Sequence, residues 1–166
     1  MRGLTEMRAV PGDTWGVSPD EYAIRPIRPS DKEALQRFHA RLSADARYRR
    51  YHGLKGDLTS EDLQFLTETD EVTHVARVAV DPAGEIDAVA RVVDGELAVV
   101  VADGRRRAGL GQRVVGAVLR AFREQGPGGE VTAWVQPDNG RALRMFRRLG
   151  ARRSSSPPGD PLRLVL

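Results

Sequence analysis

Three runs rich in Val and Ala, residues 72–81, 86–93 and 96–102, follow one another with only Pro82-Ala83-Gly84 and Asp94-Gly95 at the junctions. Junctions this short, built from turn residues, leave successive strands no option but to fold back on each other, so the segment reads as a three-strand antiparallel meander. The third run, Glu96-Leu97-Ala98-Val99-Val100-Val101, is nearly all apolar after its first residue, which is the pattern of a central strand.

The flanking elements follow from periodicity. Tyr22 to Ile27 suggests an opening strand whose Pro26 places it at an edge or a strand end. Ser30 and Glu33 have the spacing of a capping box, ahead of a helix with Leu35, Phe38, His39 and Leu42 on one face. A short helix is expected over residues 45–51, and Thr59-Ser60-Glu61-Asp62 starts a third with Leu63 and Leu66 inward. Beyond the meander, Leu110, Val114, Ala117/Val118 and Ala121/Phe122 keep helical spacing until Gln125-Gly126-Pro127-Gly128-Gly129 stops it, giving about four turns. A strand at 131–136, a helix at 139–149, a short strand at 151–153 and a closing strand at 162–166 complete the chain.

At 166 residues, 40% apolar and 30% charged, the chain suits one domain. We place that domain at residues 21–166, behind an arm at 1–20 whose Gly, Pro, Thr and Ser show no apolar period and whose Trp15 alone could dock. No run reaches the ~18 apolar residues of a membrane span and no secretory pattern opens the chain, so a cytoplasmic protein is expected. The absence of cysteine excludes a disulfide framework, a thiolate metal site and a cysteine nucleophile, so any group transfer must proceed without a cysteine-bound intermediate.

Histidines 39, 52 and 74 have no ligand spacing, so no metal is expected. Arg141, Arg144, Arg147 and Arg148 read as a solvated helix face without an aromatic stacking pattern, which argues against nucleic acid as a partner. The net charge of +3 is modest, and the preference for Arg over Lys, found only at 32 and 55, carries little weight.

The run Arg106-Arg107-Ala108-Gly109-Leu110-Gly111-Gln112 joins the last meander strand to the amphipathic helix. A strand, a short polar loop, close glycines and a helix start make an anion site from free amides and the helix dipole. A dinucleotide fingerprint would need a third glycine where Val114 stands, and a P-loop would need Gly-Lys-Ser/Thr. On its own, however, Gly-x-Gly serves equally as a turn with a solvated arginine run.

Arg106, Gly109 and Gly111 meet the signature Arg/Gln-x-x-Gly-x-Gly/Ala, and here the chain resembles the GNAT superfamily of N-acetyltransferases. Asn139, Ala142, Met145-Phe146 and Gly150-Ala151 follow that family's second signature. Ile24-Arg25-Pro26-Ile27-Arg28-Pro29-Ser30-Asp31, Leu42-Ser43, Arg47-Tyr48-Arg49-Arg50-Tyr51 and the run from Glu96 are similar to the GNAT domain of bacterial protein lysine acetyltransferases. The resemblance spans roughly residues 22–166.

It implies an α/β (α+β) GNAT fold: a mixed, mostly antiparallel sheet of six to seven strands with helices on both faces. It implies acetyl-CoA as co-substrate, with Arg106, Arg107, Gly109, Gly111 and Gln112 holding the pyrophosphate and Ala108 and Leu110 in the same loop. Val99 and Val101 are expected to pair their backbone with the pantetheine arm beside Leu97. Asn139 fits either that arm or an ordinary turn and helix cap. The acceptor implied is a primary amine, a protein lysine first and small-molecule amines after it. A homodimer is a further expectation.

An alkyl ammonium of pKa near ~10.4 is neutral at pH 7 in only about one part in a thousand, so a base is required. The resemblance assigns that role to Glu96. Phe146, which the resemblance also places among the cofactor-binding residues, departs from the family's usual Tyr at its position and has no proton for the leaving thiolate, so either solvent supplies it or the chain is a non-catalytic acyl-CoA sensor or interaction module.

Overall fold

A computed structural model describes residues 17–51, 56–105, 109–155, 157 and 160–166. The elements run β1 (Ala23–Pro26), α1 (Lys32–Arg41), α2 (Ala44–Tyr51), α3 (Ser60–Thr67), β2 (His74–Val80), β3 (Ile86–Val93), β4 (Glu96–Val101), α4 (Leu110–Gln125), β5 (Thr132–Val135), α5 (Gly140–Arg148), β6 (Arg152–Arg153) and β7 (Leu162–Val165). One seven-stranded sheet has the order β1-β2-β3-β4-β5-β7-β6. Every neighbouring pair is antiparallel except β4 with β5.

The meander forms as its turn chemistry requires. Asp94 and Gly95 both take positive φ, 49° and 80°, the mirror-image turn whose twist matches that of the strands it joins. The opening of α1 differs from expectation. Ser30 does not cap it: Pro29–Asp31 forms a 3-10 turn, and Asp31 occupies the cap position without a side-chain bond to the helix. The Asp31 carboxylate instead accepts two bonds of 2.8 Å from the Arg25 guanidinium and one of 2.8 Å from the Arg28 amide. A charge-assisted fork outweighs a single cap bond, and Arg25 holds the Asp31 carboxyl below its ordinary pKa. At α3 the Thr59 hydroxyl accepts from the Asp62 amide, and the Asp62 carboxylate accepts in return from the Thr59 amide.

The core lies on both sides of the sheet. Ala88, Ala90 and Val92 of β3 pack with Leu110, Val114, Val118 and Phe122 of α4. Val89, one step out of phase, packs on the other face with Leu35 and Phe38 of α1 and Leu66 of α3. The chain is tied to this body somewhat before residue 21: the Arg113 guanidinium donates to the Pro19 carbonyl, and Val17 packs partly against the α4 side. Residues 1–16, with Trp15, lie outside the described residues. No helix among the described residues is long and apolar enough to cross a membrane.

Candidate active site

β4 and β5 start side by side and then part. The Thr132 amide donates to the Gly95 carbonyl at 2.8 Å, and Glu96↔Thr132 is the one register pair between the two strands. Backbone groups along a strand alternate in direction, so those of Leu97, Val99 and Val101 turn to the same edge as the Gly95 carbonyl. On the β3 side the next residue confirms the phase, because the Ala102 amide donates to the Asp87 carbonyl at 2.8 Å. A cleft of about 850 Å³ opens where β5 leaves that edge, between β4, the start of α4, α2 and α5.

Val99, Val101, Gly109, Gly111, Gln112 and Asn139 all line this cleft. Gly109 precedes α4 with φ +70°, a conformation that favours glycine, and brings no side chain to cap the helix. The first helical bond runs from the Arg113 amide to the Gly109 carbonyl, so the amides of Leu110, Gly111 and Gln112 have no acceptor within the helix. No acidic residue stands in that first turn to occupy the positive end of the dipole. Gly111 is small for a packing reason too: a Cβ there would sit 3.0 Å from Met145 Sδ and 3.3 Å from Val101 Cγ2. Its smallness seats the helix start directly on β4 and α5. Arg106, Arg107 and Ala108, expected in the same loop, lie outside the described residues.

The approach to the loop is anchored by a buried carboxylate. Asp87, 3% exposed, accepts from the Tyr22 hydroxyl at 2.7 Å, from Arg105 Nε at 3.2 Å and from Arg41 Nη2 at 3.4 Å. Burial, and then the bond to Asp87, raise the Tyr22 pKa, so the hydroxyl keeps its proton and remains the donor. Asp103 accepts from both the amide and the hydroxyl of Ser43, at 2.9 and 3.0 Å, and so fixes the loop to the turn before α2.

The cleft is rich in arginine. Arg141, Arg144 and Arg148 are exposed, in keeping with the solvated face read from sequence, and also line the cleft from α5, where spacings of three and four place them on one side. Arg49 and Arg50 line it from α2. Arg49 forks onto Asp138 at 3.0 and 3.3 Å and onto Asp45 at 2.9 and 3.0 Å, tying α2 to the turn ahead of α5. Cationic walls around a helix N-terminus suit a ligand with several phosphates.

Asn139 caps α5: its Oδ1 accepts from the Ala142 amide at 3.2 Å, leaving the Nδ2 hydrogens as its remaining donors on the cleft wall. Leu97, Leu110 and Phe146 are 3%, 1% and 2% exposed, so their side chains fill the core rather than the cleft wall, and only backbone groups of Leu97 and Leu110 are placed to serve it. Glu96 is exposed at the head of β4, outside the cleft lining, and close enough to Arg50 for its charge to act on that guanidinium. His39 is buried with Nε2 2.8 Å from the Gly56 carbonyl, and His74 is buried in β2. His52 lies outside the described residues, and among those described no cluster could hold a metal.

The α2 wall had no assigned role in the sequence. Arg49 and Arg50 stand in a run that carried only a family likeness, and their signal would have been two adjacent arginines on a helix with little apolar face.

Residues 82–156, which span β3 to the end of β6, match the family model described as FR47-like protein. The whole fold is similar to the GNAT domain of a protein named PAT from S. lividans, at 24% identity with a TM-score of 0.80 over 87% of this chain and 89% of that one. A putative acetyltransferase from Salmonella typhimurium, solved with its cofactor acetyl-CoA, matches at 16% identity and TM-score 0.66 over 87% and 91%. The ribosomal-protein-S5-alanine acetyltransferase of Vibrio fischeri matches at 14% identity and TM-score 0.70 over 87% and 91%.

Proposed function

We propose that this chain is an acetyl-CoA-dependent N-acetyltransferase of the GNAT superfamily that acetylates a primary amine, with Glu96 as general base and a protein lysine as its leading acceptor. The observation that carries the cofactor's placement is the β4 edge at Val99 and Val101, beyond its one register pair with β5, beside the uncapped start of α4. The first would take the pantetheine amides and the second the pyrophosphate, with Asn139 Nδ2 and the α5 arginines along the same path.

The acceptor enters as an ammonium and gives one proton to the Glu96 carboxylate, directly or through a water. Its nitrogen attacks the thioester carbonyl, the amide C–N bond forms, the C–S bond breaks, and the nitrogen gives its second surplus proton to water. The departing thiolate takes its proton from solvent, since a thiolate of pKa ~8.5 leaves tolerably without an enzyme acid. Phe146, in the core, takes no part in that step.

The lysine acceptor rests on likeness to the lysine acetyltransferase pattern at the head of the chain. A ribosomal-protein alanine acetyltransferase among its structural relatives keeps peptide N-termini as the second reading. Steady-state release of CoA with a lysine-bearing peptide, compared between wild type and Glu96→Gln, tests the mechanism. The expected loss in kcat is ~10²- to 10⁴-fold with acetyl-CoA affinity nearly unchanged. Unaltered turnover would remove Glu96 from the mechanism, and release of CoA only with free N-terminal peptides would replace the acceptor.

A further inference from the structure

The α2 wall of the cleft continues into the interior. Arg50 lines both the cleft and a small cavity of about 20 Å³ behind it, and His39, Tyr51, Arg91 and Val100 are among the residues that wall the latter. Arg91 stands on β3 opposite Ala98 and is 4% exposed. Its side chain therefore shares a sheet face with Glu96 and Val100.

Neither guanidinium has an ordinary partner. Arg91 Nη1 donates to the Leu66 carbonyl at 3.2 Å and to His74 Nε2 at 3.0 Å. Both acceptors are uncharged, because burial and the Arg91 charge push the His74 pKa down. The Arg50 guanidinium lies 4.9 Å over the Tyr51 ring, a cation–π contact. Among the described residues no carboxylate forms an ion pair with either, whereas the adjacent Arg49 holds two. Glu96 is the acidic group whose charge reaches Arg50. Arg91 is 4% exposed and without a carboxylate partner among the described residues, and Arg50 beside it feels only the charge of the exposed Glu96, so the pair carries positive charge in excess, where an unpaired charge is costly until an anion joins it.

We propose that Arg50, backed by Arg91, receives a substrate carboxylate at the acceptor end of the cleft, so that the enzyme selects a substrate bearing a carboxylate near its reacting group. The interior cavity has room for about one water, so the carboxylate meets Arg50 from the cleft and Arg91 acts on it as a fixed charge behind. The carboxylate has two possible sources: the distal end of a dicarboxylic acyl-CoA, or an amino-acid acceptor. The inference rests on the cleft's being the acyl-CoA site.

The test uses the full chain, as wild type, Arg50→Gln and Arg50→Lys, with two measurements. One is calorimetric binding of succinyl-CoA against acetyl-CoA with no amine acceptor present, so that it does not depend on turnover. The other is kcat/KM for free lysine against lysinamide with acetyl-CoA. In one arm wild type should prefer the carboxylate-bearing member, Arg50→Gln should cut that preference ~10- to 100-fold, and Arg50→Lys should restore part of it. A wild type without preference in either arm, or a preference that survives Arg50→Gln, overturns the proposal while leaving the cofactor site standing. Failure of every CoA to bind would overturn the cofactor reading itself.

Discussion

Along one edge, β4 is bonded to β3 over its full length, from Ala88↔Val101 to Val93↔Glu96, while along the other it meets β5 at Glu96↔Thr132 alone. The antiparallel neighbour arrives through a two-residue turn and stays in register. The parallel neighbour arrives only after α4 has crossed the sheet, touches the head of the strand and diverges. The closed edge builds the core, and the open edge leaves the same strand's donors and acceptors to a ligand. Sequence changes should sort accordingly: those on the closed side should cost stability and those on the open side should cost binding.

The largest expected loss of stability is Phe146→Ala, which empties a site that is 2% exposed and should cost ~3–5 kcal/mol in denaturant unfolding. A loss of acetyl-CoA affinity without loss of stability would move Phe146 from core to cleft. Gly111→Val stands between the two classes, since its side chain would press on Met145 and Val101. It should cost ~1–3 kcal/mol by overpacking and should also weaken acetyl-CoA binding by shifting the start of α4. On the open side, Arg144→Ala should leave the thermal midpoint almost unmoved and reduce acetyl-CoA affinity by about tenfold, the scale of one charge-assisted bond. Asp138→Ala removes an exposed partner of Arg49 and should change stability by less than ~1 kcal/mol.

Acid should act on the closed side through two groups whose pKa values folding lowers. For His74, burial and Arg91 depress the folded value, so the unfolded chain binds the proton more readily below about 6.5. Stability is therefore complete above that pH and falls as acid is added. His74→Gln should flatten the thermal midpoint between pH 7.5 and 5.5. Asp31, held low by Arg25, should lose its contribution at lower pH, below the ordinary carboxylate range.

How much of this was legible in the chain depended on how local the cause was. The meander, the Asp94-Gly95 turn and the apolar stripe of α4 were legible because strand period, turn chemistry and helix period act over a few residues. The start of α1 was misread because the Asp31 carboxylate is claimed by Arg25, six residues away on β1, a partner no capping pattern includes. The arginines of α5 are exposed, as their pattern says, but periodicity does not say that three of them border a cleft. Arg91 was invisible for the opposite reason: in the run Val89-Ala90-Arg91-Val92 nothing distinguishes a buried cation from an exposed one. Family likeness named Val99, Val101, Gly109 and Gly111 together, and what the fold adds is that they line one cleft, with a wall opposite them.

The Asp87 carboxylate gathers Tyr22, just ahead of β1, Arg41, from the end of α1, and Arg105, from the turn that leads to the proposed phosphate loop. That loop is consequently a poor unit of exchange. Moved alone into a relative, it would arrive without its anchor, so a working graft must carry the loop together with Asp87 of β3 and Tyr22 ahead of β1, residues far apart in the chain.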